Sequence, residues 1–520
     1  QGWDVTGDDG TFARVFEMAD LVARSGACAL PGVNIKYDNF MSCMWLAVSR
    51  GYVTREHADF VGSGLREGFT AGVQRSLLKG VRIFQNYESA EVDHRAKVSE
   101  ATSERVAAGK TLDLGPWHER LRPVMASVFG DCFSFPLGAV LKALEWWKAR
   151  PTDDHTRTGL NAATVMGMLS HHVTSYDDVA AWLKMGHVMH VSDVDAAFPQ
   201  LPLAPWLWPF FFHRFYPVDG DVRHLYTHLN ADFGTKGLPG TFKIFFVDVL
   251  LQMARSELLL TLPMAVHVDD TGLIGSLARE AAREMHALQV WTAGYLGVSF
   301  KALKDRSAAH VQHMIGFWWD SFSGTRSLDE VKLGQYMAML LDFSDRRVIS
   351  LHDRQVIAGR MQRAVMTMPP GAGCLLHNTY LLMSRLKFGW SKRRTTKAER
   401  DCYRFFFDVL ELNVGSGYFR FDSFKEAPEI RSDASGGKAA GGGFVSQCGA
   451  YDWWVYGSRA AKNLIDYLEG DTTVEAITRM GNAWRGCWVP FGIDNQAFKG
   501  AAARTWSKAG RLNALLKEVF

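Results

Sequence analysis

Apolar residues recur at helical spacing over the first part of the chain. Stretches such as TFARVFEMADLVARSG and AKVSEATSERVAAGK place them at intervals of three and four residues, which predicts amphipathic helices. From about residue 131 to 320 the pattern changes to short β-like runs separated by turns and helices, for example MHVSDVDAAF and AVHVDDTGLIG. Strands mixed with crossing helices predict an α+β fold in this region.

The pattern changes twice more towards the C-terminus. Residues 321–390 return to helical spacing, interrupted by the breaker MPPGAG. The basic stretch at 384–400 is interpreted as a linker, which is either a solvated junction or a contact with a polyphosphate backbone. After APEIRSDASGGKAAGGGF, a strand-rich segment precedes a final helical one.

Composition narrows the class of protein. The 520 residues are 47% hydrophobic and 22% charged, which excludes general disorder. The seven cysteines include no CxxC pair, which argues against zinc ribbons and a disulfide framework and suits a reducing, intracellular compartment such as the nucleus or cytoplasm. A net charge of +3 is compatible with nucleic acid without being diagnostic. The longest apolar runs are too short to span a bilayer, and we expect no membrane partner.

Two adjacent carboxylates, Asp269 and Asp270, lie inside the apolar stretch AVHVDDTGLIG. Burying uncompensated charge is costly, so the pattern indicates a neutralising cation. Mg²⁺ accepts one or two carboxylates together with substrate phosphates, and two-metal phosphoryl transfer needs a third carboxylate from a neighbouring strand. Asp193 follows a short apolar strand about 75 residues upstream and is the natural candidate.

These residues resemble two motifs of reverse transcriptases. SDVDAAF resembles motif A and HVDD resembles motif C of the right-hand polymerase palm. The resemblance implies that Asp193, Asp269 and Asp270 form the catalytic, metal-binding triad for Mg²⁺ or Mn²⁺, with carboxylates that converge within one coordination sphere. It also implies that Phe198 lies under the incoming sugar and excludes a 2′-hydroxyl.

Other segments follow the order of that family. PLGAVLK and WWKARPTDDHTRTGLN resemble the fingers, KGLPGTF motif B, LGVSFKALKD motif D, and HMIGFWWDS the primer-grip hairpin. The resemblance implies that five of these residues bind the nucleotide: Lys142, Arg150, Phe198, Gly240 and Lys304. It also implies that Trp318 and Trp319 form the primer grip. Motif B departs from the family, because its glycine is shifted to Gly240 and bulky residues follow it.

A second set of carboxylates lies near the C-terminus. Asp433 ends a short strand, Glu475 lies within a helical pattern, and Asp494 ends another apolar strand. This order resembles ribonuclease H, whose carboxylates hold two Mg²⁺ ions across an RNA phosphodiester, and it implies that these three are catalytic metal ligands. The family adds a fourth carboxylate beyond the point where this chain stops, so we expect an incomplete domain; Glu469 and Asp471 are the nearest unused acids.

The whole layout most resembles the polymerases of tyrosine-recombinase (DIRS-type) retrotransposons. It predicts an α+β right-hand polymerase followed by a ribonuclease H-like α/β domain. The predicted segments are a helical N-terminal region (1–110), fingers and palm (111–320), a helical thumb (321–390), a connection (391–425) and the ribonuclease H-like domain (426–520).

The resemblance implies an RNA-directed DNA polymerase. Its partners would be an RNA template, a DNA primer, RNA–DNA hybrid and deoxynucleoside triphosphates. One alternative is a domesticated descendant that serves as a binding or structural subunit of a larger assembly. Another is a polymerase that makes RNA, which shares the palm aspartates but is disfavoured by Phe198 and by the ribonuclease H-like tail.

Overall fold

The chain forms two compact units, which are described separately. The first comprises residues 1–182 and 188–309, and the second comprises 183–187 and 310–520. The computed structural model describes residues 10–24, 34–141, 147–170, 174–368, 372–412, 415–417, 425–457, 464–481, 483, 487–504, 512 and 515–516. The candidate Lys142 lies outside the described residues.

Helices dominate the start of the first unit and later separate its strands. They are α1 (Thr11–Ala23), α2 (Tyr37–Ser49), α3 (Arg55–Glu67), α4 (Arg95–Ala107), α5 (Leu121–Phe129), α6 (His155–Thr158), α7 (Tyr176–Trp182), α8 (Leu238–Lys243), α9 (Leu251–Leu258) and α10 (Ala278–Trp291). A π-helical segment at 244–250 joins α8 to α9. The predicted helical N-terminal region is confirmed by α1, α2 and α3.

The described strands of the first unit form three sheets. They are β1 (Val81–Ile83), β2 (Thr111–Pro116), β3 (Cys132–Ser134), β4 (Leu137–Leu141), β5 (Ala149–Asp153), β6 (Val188–Asp193), β7 (Phe212–Phe215), β8 (His224–His228), β9 (Met264–His267), β10 (Asp270–Gly275) and β11 (Arg306–Ala309). One sheet has the order β1-β3-β7-β8-β2, a second the antiparallel order β11-β6-β10-β9, and β4 pairs with β5. The predicted mixture of helix and sheet is confirmed.

The core of the first unit is rich in phenylalanine. Phe40 of α2 stacks on Phe245 with ring centroids 5.5 Å apart, and Phe133 meets Phe210 edge-on at 5.1 Å. All six residues of β6 are buried, which explains why its sequence VMHVSD is largely apolar up to the final residues. The strand therefore ends with a polar side chain, Asp193, inside the protein.

The second unit contains the remaining helices and strands. The helices are α11 (Glu330–Asp345), α12 (Leu351–Ala364), α13 (His377–Met383), α14 (Lys397–Leu412), α15 (Ile465–Met480) and α16 (Gln496–Arg504). The strands are β12 (Val311–Met314), β13 (Phe317–Asp320), β14 (Thr325–Leu328), β15 (Val348–Ser350), β16 (Lys392–Arg394), β17 (Ser416–Gly417), β18 (Lys425–Glu426), β19 (Ile430–Ser435), β20 (Gly441–Ser446), β21 (Tyr451–Val455), β22 (Cys487–Trp488) and β23 (Phe491–Gly492).

A buried ion pair joins two helices of the second unit. Arg354 of α12 donates to both carboxylate oxygens of Glu399 in α14, at 2.9 and 3.2 Å, and both side chains are fully buried. Tyr403 also donates to Glu399, at 2.8 Å. The segment interpreted from sequence as a connection thus contains a 16-residue helix that packs against α11.

The C-terminal sheet has the order β21-β20-β19-β23, with β19 antiparallel to β20 and parallel to β23. Helix α15 packs on β19 and β20. The Ser432 and Thr473 hydroxyls are 2.9 Å apart, which identifies the face of α15 that meets β19. In the part of the chain that the structure describes, no helix has the length and apolar character that crossing a membrane requires.

Candidate active site

Asp193 and Asp270 face each other across two antiparallel strands. Asp193 ends β6, Asp270 begins β10, and the two residues are direct cross-strand partners. Side chains of such partners project from the same face of a sheet. The register therefore brings together two of the three carboxylates that the sequence grouped.

Asp269 reaches the same edge through a tight turn. Asp270 pairs with His267, so only Val268 and Asp269 connect β9 to β10. Val268 has φ of 60°, which a β-branched residue seldom adopts. The Asp269 carbonyl accepts a 3.0 Å hydrogen bond from Val194 N, which ties the turn to the residue after Asp193. A strained turn fixed in this way is typical of functional positions.

Lys304 supplies a positive charge to this cluster. Its Nζ forms an ion pair with Asp193 Oδ2 and is half exposed, whereas the Asp193 side chain is almost fully buried. Burial lowers the pKa of Lys304, but the contact with Asp193 and the charges of Asp269 and Asp270 raise it by more. The lysine therefore stays protonated beside the carboxylates.

Burial and mutual repulsion both act on the remaining carboxylates. Burial, followed by the charges of Asp193 and Asp270, raises the pKa of Asp269 to about 6. Burial and Asp193 also raise the pKa of Asp270, while Arg306 and Lys304 oppose the shift. Carboxylates with raised pKa values in one cluster attract further positive charge.

The donor set is suitable for a hard divalent cation. Asp193 Oδ1 is buried and accepts no hydrogen bond from the described donors, so one carboxylate oxygen is available as a ligand. The triad is not among the described groups whose ligand atoms all lie within 4.8 Å, so its convergence within one coordination sphere stays a prediction. Like charges repel, and Lys304 contacts only one of the three carboxylates.

A cleft of about 240 Å³ opens beside Asp269. Six basic and four acidic side chains line it, together with small apolar residues and Phe233. The basic ones are Lys97, Arg105, Lys148, Arg150, Lys301 and Lys304. Of these, the sequence analysis named only Arg150 and Lys304; Lys148 and Lys301 lie in the same two motif segments, and Lys97 and Arg105 lie in the helical stretch before them. An excess of cationic side chains in a cleft favours anionic ligands.

Phe198 lies beneath this cleft rather than in its wall. Its neighbours Ala197 and Pro199 line the cleft, while Phe198 itself is only 4% exposed. Its ring meets Phe233 edge-on at 4.8 Å and Phe242 at 5.7 Å. Arg150 also stacks on Phe233, with its guanidinium 5.1 Å from the ring centroid. Phe233 therefore connects the two candidate nucleotide-binding residues.

Gly240 is buried in α8 against protein backbone. A Cβ at this position would lie 1.8 Å from the Leu169 carbonyl oxygen, closer than any real contact. Leu169 belongs to a short 3₁₀ turn at 167–169. The close approach of this turn to α8 explains why glycine is needed here.

The two tryptophans of the predicted primer grip have different environments. They lie on β13, which pairs with β12 through the two-residue turn Ile315–Gly316, where both residues have positive φ. Trp318 is 39% exposed, and Trp319 is fully buried and donates to the Met314 carbonyl at 3.0 Å. Of these two tryptophans, Trp318 is therefore the one with substantial exposed aromatic surface.

The second unit contains its own acidic group. Asp433 in β19, Glu469 in α15 and Asp494 before α16 have carboxylate oxygens within 4.8 Å of one another. Asn495 donates to Glu469 Oε2 at 2.7 Å, which orients that carboxylate. The structure brings together two of the three residues predicted from the sequence.

Glu475 is not part of this group among the described residues, and its role as a metal ligand stays a prediction. It accepts a 2.8 Å hydrogen bond from Arg479, which also forms an ion pair with Asp452. Glu469 lies one helical turn before Thr473, on the face that meets β19, whereas Glu475 points elsewhere. The sequence contained both acids but did not show which helix face packs on the sheet.

Comparisons with known proteins support the fold. No protein-family model and no curated protein matches the chain. A foamy viral protease–reverse transcriptase in complex with RNA/DNA hybrid matches at 11% identity with a TM-score of 0.50, covering 92% of this chain and 61% of that one. Two further structures of foamy viral protease–reverse transcriptase match with TM-scores of 0.48. The dRH form in complex with double-stranded DNA is 13% identical, and the match covers 86% of this chain and 71% of that one. The protein in complex with double-stranded DNA is 12% identical, and the match covers 86% of this chain and 88% of that one. The chain has a reverse-transcriptase-like fold.

Proposed function

We propose that this protein is an RNA-directed DNA polymerase that uses two-metal nucleotidyl transfer. The observation that carries the proposal is the direct pairing of Asp193 with Asp270, with Asp269 in the adjoining two-residue turn. The reverse-transcriptase-like fold supports it, as does the RNA/DNA hybrid bound by the foamy viral protein. The substrates would be deoxynucleoside triphosphates, with an RNA template and a DNA primer.

Each part of the site has a chemical role in this proposal. Asp193, Asp269 and Asp270 would hold Mg²⁺ or Mn²⁺, which stabilises the charge on the transferring phosphoryl group. The basic side chains of the cleft, including Arg150, would neutralise the triphosphate. Lys304 holds a proton beside Asp193 and could transfer it to the departing pyrophosphate. Phe198 would select the sugar through its packing on Phe233.

We also propose a ribonuclease H-like activity for the second unit. Asp433, Glu469 and Asp494 would be its metal ligands, because their oxygens lie within 4.8 Å of one another. Glu469 thereby takes the role that the sequence gave to Glu475. Kinship with DIRS-type retrotransposons remains part of the proposal, supported by the overall layout of the sequence segments.

Primer extension on RNA and on DNA templates tests the polymerase proposal. With Mg²⁺ or Mn²⁺, the full chain should extend a DNA primer on RNA, and Asp193→Asn should reduce extension to background. The fold should persist, because removing one of three repelling carboxylates relieves strain. Asp219→Asn is the matched control, since Asp219 lies in an exposed turn with a positive φ that Asn accepts.

The result also separates the alternatives. Extension that is lost in Asp193→Asn and retained in Asp219→Asn would support polymerisation by this site. Incorporation on neither template by the unmodified protein would refute it and favour a binding or structural subunit. Preferential incorporation of ribonucleotides would instead favour a polymerase that makes RNA.

A further inference from the structure

A second cluster of metal-ligand side chains lies in the first unit, and one member, Asp232, lines the same cleft as Asp269. Asp153 ends β5, His228 ends β8, and Asp232 follows four residues later. One ligand atom from each lies within 4.8 Å of the others, and all three residues are buried. His228 Nε2 is 3.2 Å from Asp153 Oδ2 and 3.6 Å from Asp232 Oδ2.

Key polar atoms of this cluster lack hydrogen bonds within the described residues. Both carboxylate oxygens of Asp153 and the Nε2 atom of His228 are buried without a hydrogen-bond partner. Such groups are rarely left without a hydrogen bond in a protein interior, because burial removes their bonds to water and the loss costs free energy unless another partner replaces them. A buried imidazole nitrogen and a buried carboxylate that lie 3.2 Å apart without a hydrogen bond indicate a missing common partner.

The surroundings hold the candidate ligands in place. The Thr111 hydroxyl lies 2.9 Å from His228 Nδ1, so the other ring nitrogen, Nε2, faces the two carboxylates. Asp232 forms an ion pair with Arg105 and accepts a 2.7 Å hydrogen bond from Phe233 N. Contacts of this kind, to the far nitrogen of a histidine and to a ligating carboxylate, are typical of metal centres.

The spacing suits one small ion. Two ligands bound tetrahedrally at 2.0–2.2 Å are about 3.4 Å apart. The two distances from His228 Nε2, 3.2 and 3.6 Å, lie on either side of this value. An imidazolium hydrogen-bonded to Asp153 is the competing arrangement, but the contact lacks hydrogen-bond geometry although it is short enough.

The nearest arginine pairs with the other carboxylate of the cluster. The Arg105 guanidinium forms an ion pair with Asp232, and among the described residues no lysine or arginine forms an ion pair with Asp153.

We propose that Asp153, His228 and Asp232 bind one structural transition-metal ion of the zinc class. Imidazole nitrogen and carboxylate oxygen are both ligands that Zn²⁺ accepts, whereas Mg²⁺ prefers oxygen ligands and retains several waters. The site uses other residues than the proposed palm triad, although Asp232 and Asp269 line one cleft, and it does not depend on the proposed polymerase activity. It would anchor the segment that carries Phe233, on which Phe198 and Arg150 pack.

Metal analysis of the full chain tests this site. After expression with Zn²⁺ and dialysis, the protein should retain about one zinc ion per chain at this site. His228→Gln and Asp153→Asn should lose that ion. His224→Gln is the matched control, because His224 lies on the same strand and contacts Asp113 at 2.9 Å in a more exposed His–Asp pair. Asp193→Asn should also retain the ion, which separates the site from the palm.

Two outcomes would overturn the proposal. One is unmodified protein that holds no zinc above background despite the supplement, and the other is His228→Gln that holds as much as His224→Gln. If the site variants fail to fold, cobalt binding by the unmodified protein tests the site instead. Cobalt added to chelator-treated protein should then produce the visible absorption of a tetrahedral nitrogen–oxygen site and raise the melting temperature. No absorption and no shift would equally reject the site.

Discussion

Gly240→Ala tests whether the glycine of the motif B segment is required by packing. The new methyl group would lie 1.8 Å from the Leu169 carbonyl oxygen, and the Leu169 carbonyl carbon and Cα would also be within 2.8 Å. Every one of these atoms is backbone, so no side-chain rotation can relieve the overlap. Either α8 or the 167–169 turn must move.

The expected size of the effect follows from this overlap. The contact is about 1.6 Å shorter than the 3.4 Å at which ordinary van der Waals contact begins. Overpacking a buried site typically costs about 1–3 kcal/mol, and the rigid backbone on both sides places this variant near the upper end. Helix propensity opposes the loss by only about 1 kcal/mol. We therefore expect a net loss of about 2 kcal/mol in the free energy of unfolding.

Urea unfolding of the full chain measures this loss. A decrease of about 2 kcal/mol lowers the midpoint of the transition of the first unit by about 1 M. Because two units need not unfold together, hydrogen exchange of peptides covering 238–258 should accompany it and show faster exchange. Gly294→Ala is the control, since Gly294 has no heavy atom within 4 Å of its Cβ position and lies in a helical segment. It should be neutral or stabilising.

The reasoning would be refuted if Gly240→Ala were as stable as Gly294→Ala and exchanged at the unmodified rate. The glycine would then serve something other than the contact with Leu169, such as the approach of a template base.

Three further predictions concern the proposed activities. Phe198→Val should raise incorporation of ribonucleotides relative to deoxyribonucleotides, because the 2′-hydroxyl gains space; an unchanged ratio in single-nucleotide extension would leave Phe198 as core packing. Glu469→Gln should reduce cleavage of RNA–DNA hybrid far more than Glu475→Gln, because only Glu469 lies with Asp433 and Asp494; equal losses would contradict this assignment. Lys304→Met should slow extension while leaving primer binding unchanged in a filter assay, because this lysine contacts Asp193; weaker binding would instead indicate a phosphate contact.

Local patterns pointed to the strand ends where Asp193 and Asp270 pair. The apolar run before Asp193 and the apolar flanks of Asp269 and Asp270 are sequence features, and a two-residue turn between short strands needs no long-range information. The mixture of helix and sheet followed from the same periodicities. These signals are strong because each involves fewer than a dozen adjacent residues.

Long-range packing was not predictable in the same way. Glu469 and Glu475 are six residues apart and differ by about 240° around α15, and nothing local shows which of them faces β19. Asp153 and His228 are brought together only by the folding of separate strands. Such contacts depend on tertiary structure and carry no spacing signature in the sequence.

The buried ion pair between Arg354 and Glu399 has a consequence for where the chain can be divided. A fragment ending at residue 390 would leave the Arg354 guanidinium inside the second unit without its counter-charge, at a cost of about 3–5 kcal/mol. A fragment extended through the end of α14 at Leu412 would keep both charges and the Tyr403 hydroxyl together. The C-terminal boundary of a stable expression fragment should therefore lie after α14 rather than before it. The same holds for the junction in a chimeric gene.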